Sequence, residues 1–96
     1  MFKERQQLRI LFRKGVVETL LFLASKGSAR YSEIKKQGYV VGDRSLSRIL
    51  KELQKHNLIR RSVLSTFPIS TEYSLTDKGE AVAKLLDQLK SLMEER

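Results

Sequence analysis

A chain of 96 residues has room for one core, and its 41% hydrophobic and 31% charged residues are typical of a folded domain rather than a disordered segment. The absence of cysteine and the single histidine, His56, exclude disulfides, thiol nucleophiles, cysteine-ligated zinc and histidine clusters, so we predict neither an enzyme nor a metal or cofactor site. The net charge of +8 indicates a polyanionic partner, either nucleic acid or an anionic membrane surface.

Two helices are predicted before residue 28. Apolar residues recur among charged ones over residues 2–12, which favours a charged helix with one apolar stripe, and Gly15 then offers a break. Residues 16–25 are apolar enough for a nearly buried helix. Gly27 follows at the left-handed position where glycine commonly ends a helix.

A short strand, a short helix and a loop are expected next. Residues 29–31 form the strand, and Ser32 is suited to cap a helix that ends at Gly38. Ser32 at this helix start is also a candidate phosphate contact, although capping alone explains its presence. Residues 39–42 form the loop.

The segment from Asp43 to His56 carries the clearest pattern. Asp43 can cap a helix that Asn57 ends, and the apolar residues between them recur at the 3,4 spacing of an amphipathic helix: Leu46, Ile49, Leu50 and Leu53. The opposite face holds the basic residues Arg44, Arg48, Lys51 and Lys55. Such a face is typical of any solvated helix and also of a helix that binds DNA. His56 is interpreted as a dipole partner or surface residue and is assigned no function.

A hairpin and a long helix complete the chain. Residues 58–65 and 71–76 are β-prone runs separated by a tip of about five residues, which predicts a two-stranded hairpin. Thr76 then caps a helix that runs to about Glu94, with Asp77 and Glu80 in the first turn, where the helix dipole favours acids. Its apolar positions keep a near-heptad spacing: Val82, Leu85, Leu86, Leu89, Leu92 and Met93.

The positive charge is confined to the first two thirds of the chain. Residues 1–29 carry a net charge of +4 and residues 30–61 one of +6, whereas residues 62–96 carry −2, so we expect the two ends to have different roles. No apolar run approaches the roughly 20 residues that span a bilayer, and the N-terminus lacks the pattern of a secretory signal. We therefore predict no membrane partner and a cytoplasmic, nucleoid-associated protein.

Residues 27–90 resemble the HxlR-type winged helix-turn-helix transcription regulators, within the broader MarR, ArsR and PadR-like superfamily. The resemblance rests on residues 27–34, on residues 41–44 with Leu46, Leu50, Leu53, Leu58 and Ile59, and above all on Pro68 followed by residues 72–79. It implies an α+β, mostly helical fold, a winged helix-turn-helix with a two-stranded wing and N- and C-terminal dimerisation helices. We expect one domain over residues 1–96, with an N-terminal helix (1–14), a winged-helix core (15–76) and a C-terminal dimerisation helix (77–96).

The resemblance makes residues 43–56 the recognition helix, which enters the major groove of DNA. Its first turns hold Arg44, Ser45, Ser47 and Arg48, where base edges are within reach, and either arginine can form two hydrogen bonds to guanine. Lys51 and Lys55 lie further along and suit phosphate. On the first hairpin strand, Arg60 and Arg61 alternate faces, so at most one faces DNA, and Arg61 is our candidate.

The chain departs from the family pattern at two places. Members usually carry a basic residue in the wing between the proline and the Glu-Tyr pair, where this chain has Ile69 and Ser70, so the usual basic minor-groove contact is missing. Many members also carry an N-terminal cysteine used for sensing. The 96 residues contain none, which excludes a thiol switch.

The terminal helix is longer than one domain needs. The first turns of this helix close a winged-helix core, whereas Leu89, Leu92 and Met93 lie beyond them and would be exposed without a partner. We therefore predict a homodimer through Leu85, Leu86, Leu89, Leu92 and Met93, together with the N-terminal helix, whose two recognition helices address successive major grooves. The alternative is that the leucines pack on their own domain.

The predicted function is a homodimeric, sequence-specific transcriptional regulator that binds double-stranded DNA. A repressor is favoured because the chain has nothing beyond DNA-binding and dimerisation parts to recruit polymerase. One alternative is a weakly selective chromatin or architectural DNA-binding protein. The other is a winged-helix module that binds proteins, and the net charge of +6 in residues 30–61 argues against it. The sequence names no effector ligand.

Overall fold

The computed structural model describes residues 7–65 and 67–95, which form four helices and three strands after a short helical segment. That segment is helical from residue 7 and ends in the 3-10 turn Ile10–Phe12. The elements then follow as α1 (Val16–Lys26), β1 (Ser28–Arg30), α2 (Tyr31–Gln37), α3 (Asp43–Lys55), β2 (Ile59–Leu64), β3 (Ser70–Leu75) and α4 (Asp77–Glu94). The predicted order of elements is confirmed. The parts of the N-terminal helix, hairpin tip and C-terminus that fall on residues 1–6, 66 and 96 lie outside the described residues.

The three strands form one antiparallel sheet in the order β1-β3-β2. Ala29 lies opposite Tyr73 on one side of β3, and Ile59 lies opposite Leu75 on the other. All four side chains are buried, so this face of the sheet packs against the helices. The β2–β3 hairpin continues beyond the packed region as the wing.

The core lies between the sheet and the helices. Its largest fully buried side chains come from α1 and α3: Val16, Thr19, Leu20, Leu23, Leu46, Leu50 and Leu53. Six of these seven side chains are apolar, and burying them is the main favourable term in folding, since each removes apolar surface from water. The predicted α+β, mostly helical winged helix-turn-helix fold is confirmed.

The start of α2 corrects one prediction. Tyr31 is helical instead of ending the strand, and Ser32 is not the cap, because Arg30 occupies that position. The Arg30 backbone N–H donates to Glu33 Oε1 at 2.9 Å, and Glu33 also pairs with Lys26 at 3.0 Å. The Arg30 hydrogen bond, followed by the one from Lys26, holds the pKa of Glu33 below its ordinary value. A carboxylate of the first turn thus accepts the hydrogen bond from the backbone N–H of the cap residue.

The last helix begins and ends where the sequence predicted. Thr76 is its cap, accepting a hydrogen bond from the Gly79 backbone N–H at 2.9 Å. The same hydroxyl donates to the carbonyl of Asn57 at 2.6 Å, and Asn57, with a φ of 60°, ends the turn after α3 as expected. Among the helices within residues 7–65 and 67–95, none has the length and hydropathy needed to cross a membrane.

Candidate nucleic-acid interface

Helix α3 presents two opposite faces. Its four predicted core residues are all buried: Leu46, Ile49, Leu50 and Leu53. The four basic residues on the other face are all exposed: Arg44, Arg48, Lys51 and Lys55. Within the described residues, none of these four side chains forms an ion pair or a hydrogen bond. The helix is therefore anchored through its apolar side and offers uncompensated positive charge to solvent.

Asp43 ties the start of α3 to α2 and corrects a second prediction. It is the first helical residue and not the cap, a position held by Gly42 with a φ of 89°. Its carboxylate pairs with Lys35 Nζ at 3.0 Å and accepts a hydrogen bond from Tyr31 Oη at 2.9 Å. The hydrogen bonds from Lys35 and then Tyr31 hold the pKa of Asp43 below its ordinary value. The bridge between the two helices therefore persists at neutral pH and is lost only as the pH falls below the ordinary aspartate range.

The three serines predicted for this site are all exposed. Ser45 and Ser47 lie on the two flanks of the first turns of α3, on either side of its basic face. Ser32 lies in the first turn of α2, and its hydroxyl forms no hydrogen bond to any other described residue. Capping, the simpler explanation for Ser32, is therefore not its role, and the hydroxyl is available to a ligand.

The strand register separates the two arginines of β2. Arg61 lies opposite the buried Tyr73, so it shares the face of the sheet that packs against the helices. Arg60 lies opposite Ser74 on the other face. Both are exposed, but only Arg61 is on the same side of the sheet as α3. The choice of Arg61 as the candidate is consistent with this register.

The wing beyond Arg61 is uncharged. Residues 62–71 contain no acidic or basic side chain, and the apolar Phe67 and Ile69 are fully or largely exposed there. The wing therefore lacks the positive charge that would attract phosphate, as the sequence indicated.

Two basic residues that the sequence reading did not assign lie beside α3. Arg13 and Lys14, in the turn before α1, line a cleft whose other side is formed by Ser45 and Arg48. The net charge of +4 in residues 1–29 indicates that this part of the chain is basic. Nothing in the sequence shows that the turn before α1 lies beside a helix about thirty residues further on.

The predicted dimerisation residues lie along one stripe of α4. Leu85, Leu89, Leu92 and Met93 are 65%, 53%, 64% and 76% exposed. Leu86 differs from them, because it is half-buried against the core of its own domain together with Val82. Four of the five side chains thus form an exposed apolar surface past the packed part of the helix, of the kind that protein interfaces cover.

A helix-turn-helix backed by a three-stranded sheet, with a basic exposed helix and a hairpin wing, defines a winged-helix protein. Residues 16–96 match the model of the family described as HxlR-like helix-turn-helix, and the chain belongs to that family.

Similar proteins are described as transcriptional regulators. The HTH-type transcriptional regulator YvaP of Bacillus subtilis is 40% identical over 76 residues, covering 79% of this chain and 70% of that protein. YdzF of the same organism is 36% identical over 83 residues, covering 86% and 68%. Among solved structures, the transcriptional regulator ytfH from Salmonella typhimurium superposes with a TM-score of 0.81 at 26% identity, covering 95% of this chain and 80% of that one. The chain is thus a transcriptional regulator of the HxlR and MarR winged-helix type, and its relatives are regulators rather than enzymes.

Proposed function

We propose that this regulator is a homodimeric repressor that binds a specific double-stranded DNA sequence, with α3 of each subunit in the major groove. The observation that carries the proposal is the outer face of α3, where Arg44, Arg48, Lys51 and Lys55 are exposed without partners opposite a fully buried apolar face. A helix that enters the major groove needs this combination, because the core must hold it while its free face meets phosphates and base edges. Such a regulator acts in the cytoplasm, on the nucleoid.

The apolar stripe of α4 supports the dimer. A two-fold dimer formed through it presents two copies of α3, which matches DNA sites made of two half-sites about one helical turn apart. A dimer that occupies such a site blocks other proteins from it, and this would repress transcription. Within the proposal, the partners are double-stranded DNA and a second copy of the chain.

Selection from random duplex DNA tests sequence specificity. The proposal expects an enriched palindrome, because the two half-sites mirror the symmetry of the dimer. Binding without enrichment would instead favour a weakly selective architectural protein. The absence of duplex binding would favour a winged helix that binds proteins.

The first prediction concerns salt. If a dimer contacts roughly 6 to 10 phosphates, a plot of log K against log salt concentration should have a slope of about −5 to −9, because each contact releases condensed counterions. Fluorescence anisotropy titrations over a range of salt concentrations measure the slope. A slope near zero would contradict a DNA-backbone interface.

The second prediction separates base reading from phosphate binding. Arg44→Ala or Arg48→Ala should weaken binding to the selected sequence by about 1 to 3 kcal/mol per half-site and reduce the preference over scrambled DNA, because base edges are within reach of the first turns. Lys55→Ala, near the far end of α3, is the matched control. It should weaken all duplexes equally and make the salt slope shallower by about one per subunit.

Competition between the selected and the scrambled duplex decides this prediction. If both arginine variants weaken the two duplexes to the same degree, their side chains bind only phosphate, and the architectural function replaces the regulator.

A further inference from the structure

A cleft of about 260 Å³ opens beside the N-terminal half of α3. Arg13 and Lys14, in the turn before α1, line one side, and Ser45 and Arg48 of α3 line the other. Residues 40–41 of the loop between α2 and α3 contribute apolar side chains to its wall. Every charged side chain that lines the cleft is therefore basic.

The turn that carries Arg13 and Lys14 is held against the loop before α3. Gly15 has a φ of +86°, and a Cβ added there would come within 2.5 Å of the Tyr39 carbonyl oxygen, so the two backbones are in direct contact. The Gly15 carbonyl also accepts a hydrogen bond from the buried hydroxyl of Thr19 at 2.7 Å. The two basic residues are thus positioned by the fold and are not part of a free arm.

The basic side chains around the cleft have no internal partner. Arg13, Lys14 and Arg48 are exposed. Among the described residues, none of these side chains forms an ion pair with a carboxylate or donates a hydrogen bond. Glu52, the acid on this flank of α3, lines neighbouring hollows that Arg13 and Arg48 also border, but it forms an ion pair with neither, and its carboxylate is 3.8 Å from His56 Nε2. Three positive charges without an ion-pair partner and one hydroxyl therefore line a small space, a set of donors that suits a phosphate group.

We infer that this cleft binds a phosphate of the DNA backbone, on the strand that borders the major groove beside α3, and that Arg13 and Lys14 belong to the DNA interface. The inference rests on the proposed function, because it requires α3 to lie in the groove. A helix in the major groove has a phosphate backbone along each flank, and the cleft opens on the flank that carries Ser45. Arg13 supplies directed donors to the phosphate oxygens and Lys14 supplies a compact charge, while Arg48 borders the cleft and remains free to reach the base edges.

The test is the double variant Arg13→Ala, Lys14→Ala in the full chain. Loss of one phosphate contact per subunit should make the salt slope of the dimer shallower by about two and weaken binding roughly 30-fold near 0.15 M salt, equally for the selected and scrambled duplexes. The variant Lys84→Ala, Lys90→Ala is the matched control, because it removes the same number of positive charges from exposed positions of α4 outside this cleft, and it should leave the slope almost unchanged. The side chains of Arg13 and Lys14 are exposed, so the circular dichroism melt of the double variant should coincide with that of the wild type.

The outcomes separate the two proposals. If the wild type binds DNA with a steep salt slope and the double variant binds equally well, the inference about the cleft is wrong while the proposed function stands. If the wild type does not bind duplex DNA at all, the proposed function fails first. A double variant that discriminates less between the selected and scrambled duplexes would show base contacts from this turn, which also overturns the assignment to phosphate.

Discussion

Leu89→Glu is expected to convert the protein from a dimer of twice 11.1 kDa to a monomer at micromolar concentration. Leu89 is 53% exposed in the single chain, in the middle of the apolar stripe of α4. In a two-fold interface each substitution occurs twice, so two leucine contacts are lost and two carboxylates enter an apolar contact. Burying one leucine contributes about 1.5 to 3 kcal/mol, and an unpaired buried charge costs more.

Sedimentation equilibrium measures this change directly. Ser91→Glu is the matched control, because it makes the same change of charge at an exposed position of the same helix that points about 160° away from Leu89 around the helix axis. It should remain dimeric. DNA affinity should fall for Leu89→Glu alone, since a monomer holds one half-site only. A wild-type protein that sediments as a monomer would contradict the dimer.

Gly79→Ala is expected to destabilise the fold severely, although alanine is the better helix former. Gly79 lies in the first turn of α4, and a Cβ added there would overlap the carbonyl oxygen of Leu58. That carbonyl accepts a hydrogen bond from the Thr76 backbone N–H at 3.1 Å, so it cannot move away without loss. Overpacking of this kind costs about 1 to 3 kcal/mol or more, against a total stability of about 5 to 15 kcal/mol.

Thermal melts compare Gly79→Ala with Gly38→Ala. Gly38 lies in the left-handed region, with a φ of 73°, and a Cβ added there meets open space, so its substitution introduces only backbone strain of about 1 to 2 kcal/mol. At about 4 to 8 °C per kcal/mol, an overpacking cost of about 3 kcal/mol or more should lower the melting temperature of the Gly79 variant by at least about 12 °C, to below that of the Gly38 variant. A Gly79→Ala protein that melts at or above the wild-type temperature would contradict the close packing of α4 on Leu58.

The elements that the sequence predicted well are those whose signals are local. The apolar spacing of α3 follows directly from the 3.6-residue period, and the same four leucine and isoleucine side chains are buried in the structure. The bounds of α4 follow from the cap residue Thr76 and from a run free of glycine and proline between Glu80 and Glu94. In these segments the residues that decide the conformation are within one or two helical turns of each other.

The two helix caps show where local signals were insufficient. Ser32 and Asp43 are both residue types that favour cap positions, yet neither acts as one in the structure. The carboxylate of Asp43 binds Tyr31 and Lys35, which lie twelve and eight residues earlier in the chain. A cap preference describes a side chain and its own backbone, and a partner brought close by folding can compete for the same atoms.

The sequence by itself determined the basic face of α3 and the apolar stripe of α4, because each depends on a short repeating pattern of side chains, and the fold class followed from the order of the predicted elements and the resemblance to HxlR-type regulators. The tertiary structure alone decided which basic residues share one surface. It brought Arg13 and Lys14 beside Ser45 and Arg48, and the strand register put Arg61, but not Arg60, on the side of the helices. Such neighbours depend on how whole elements pack, and a contact across about thirty residues leaves no periodic trace in the chain.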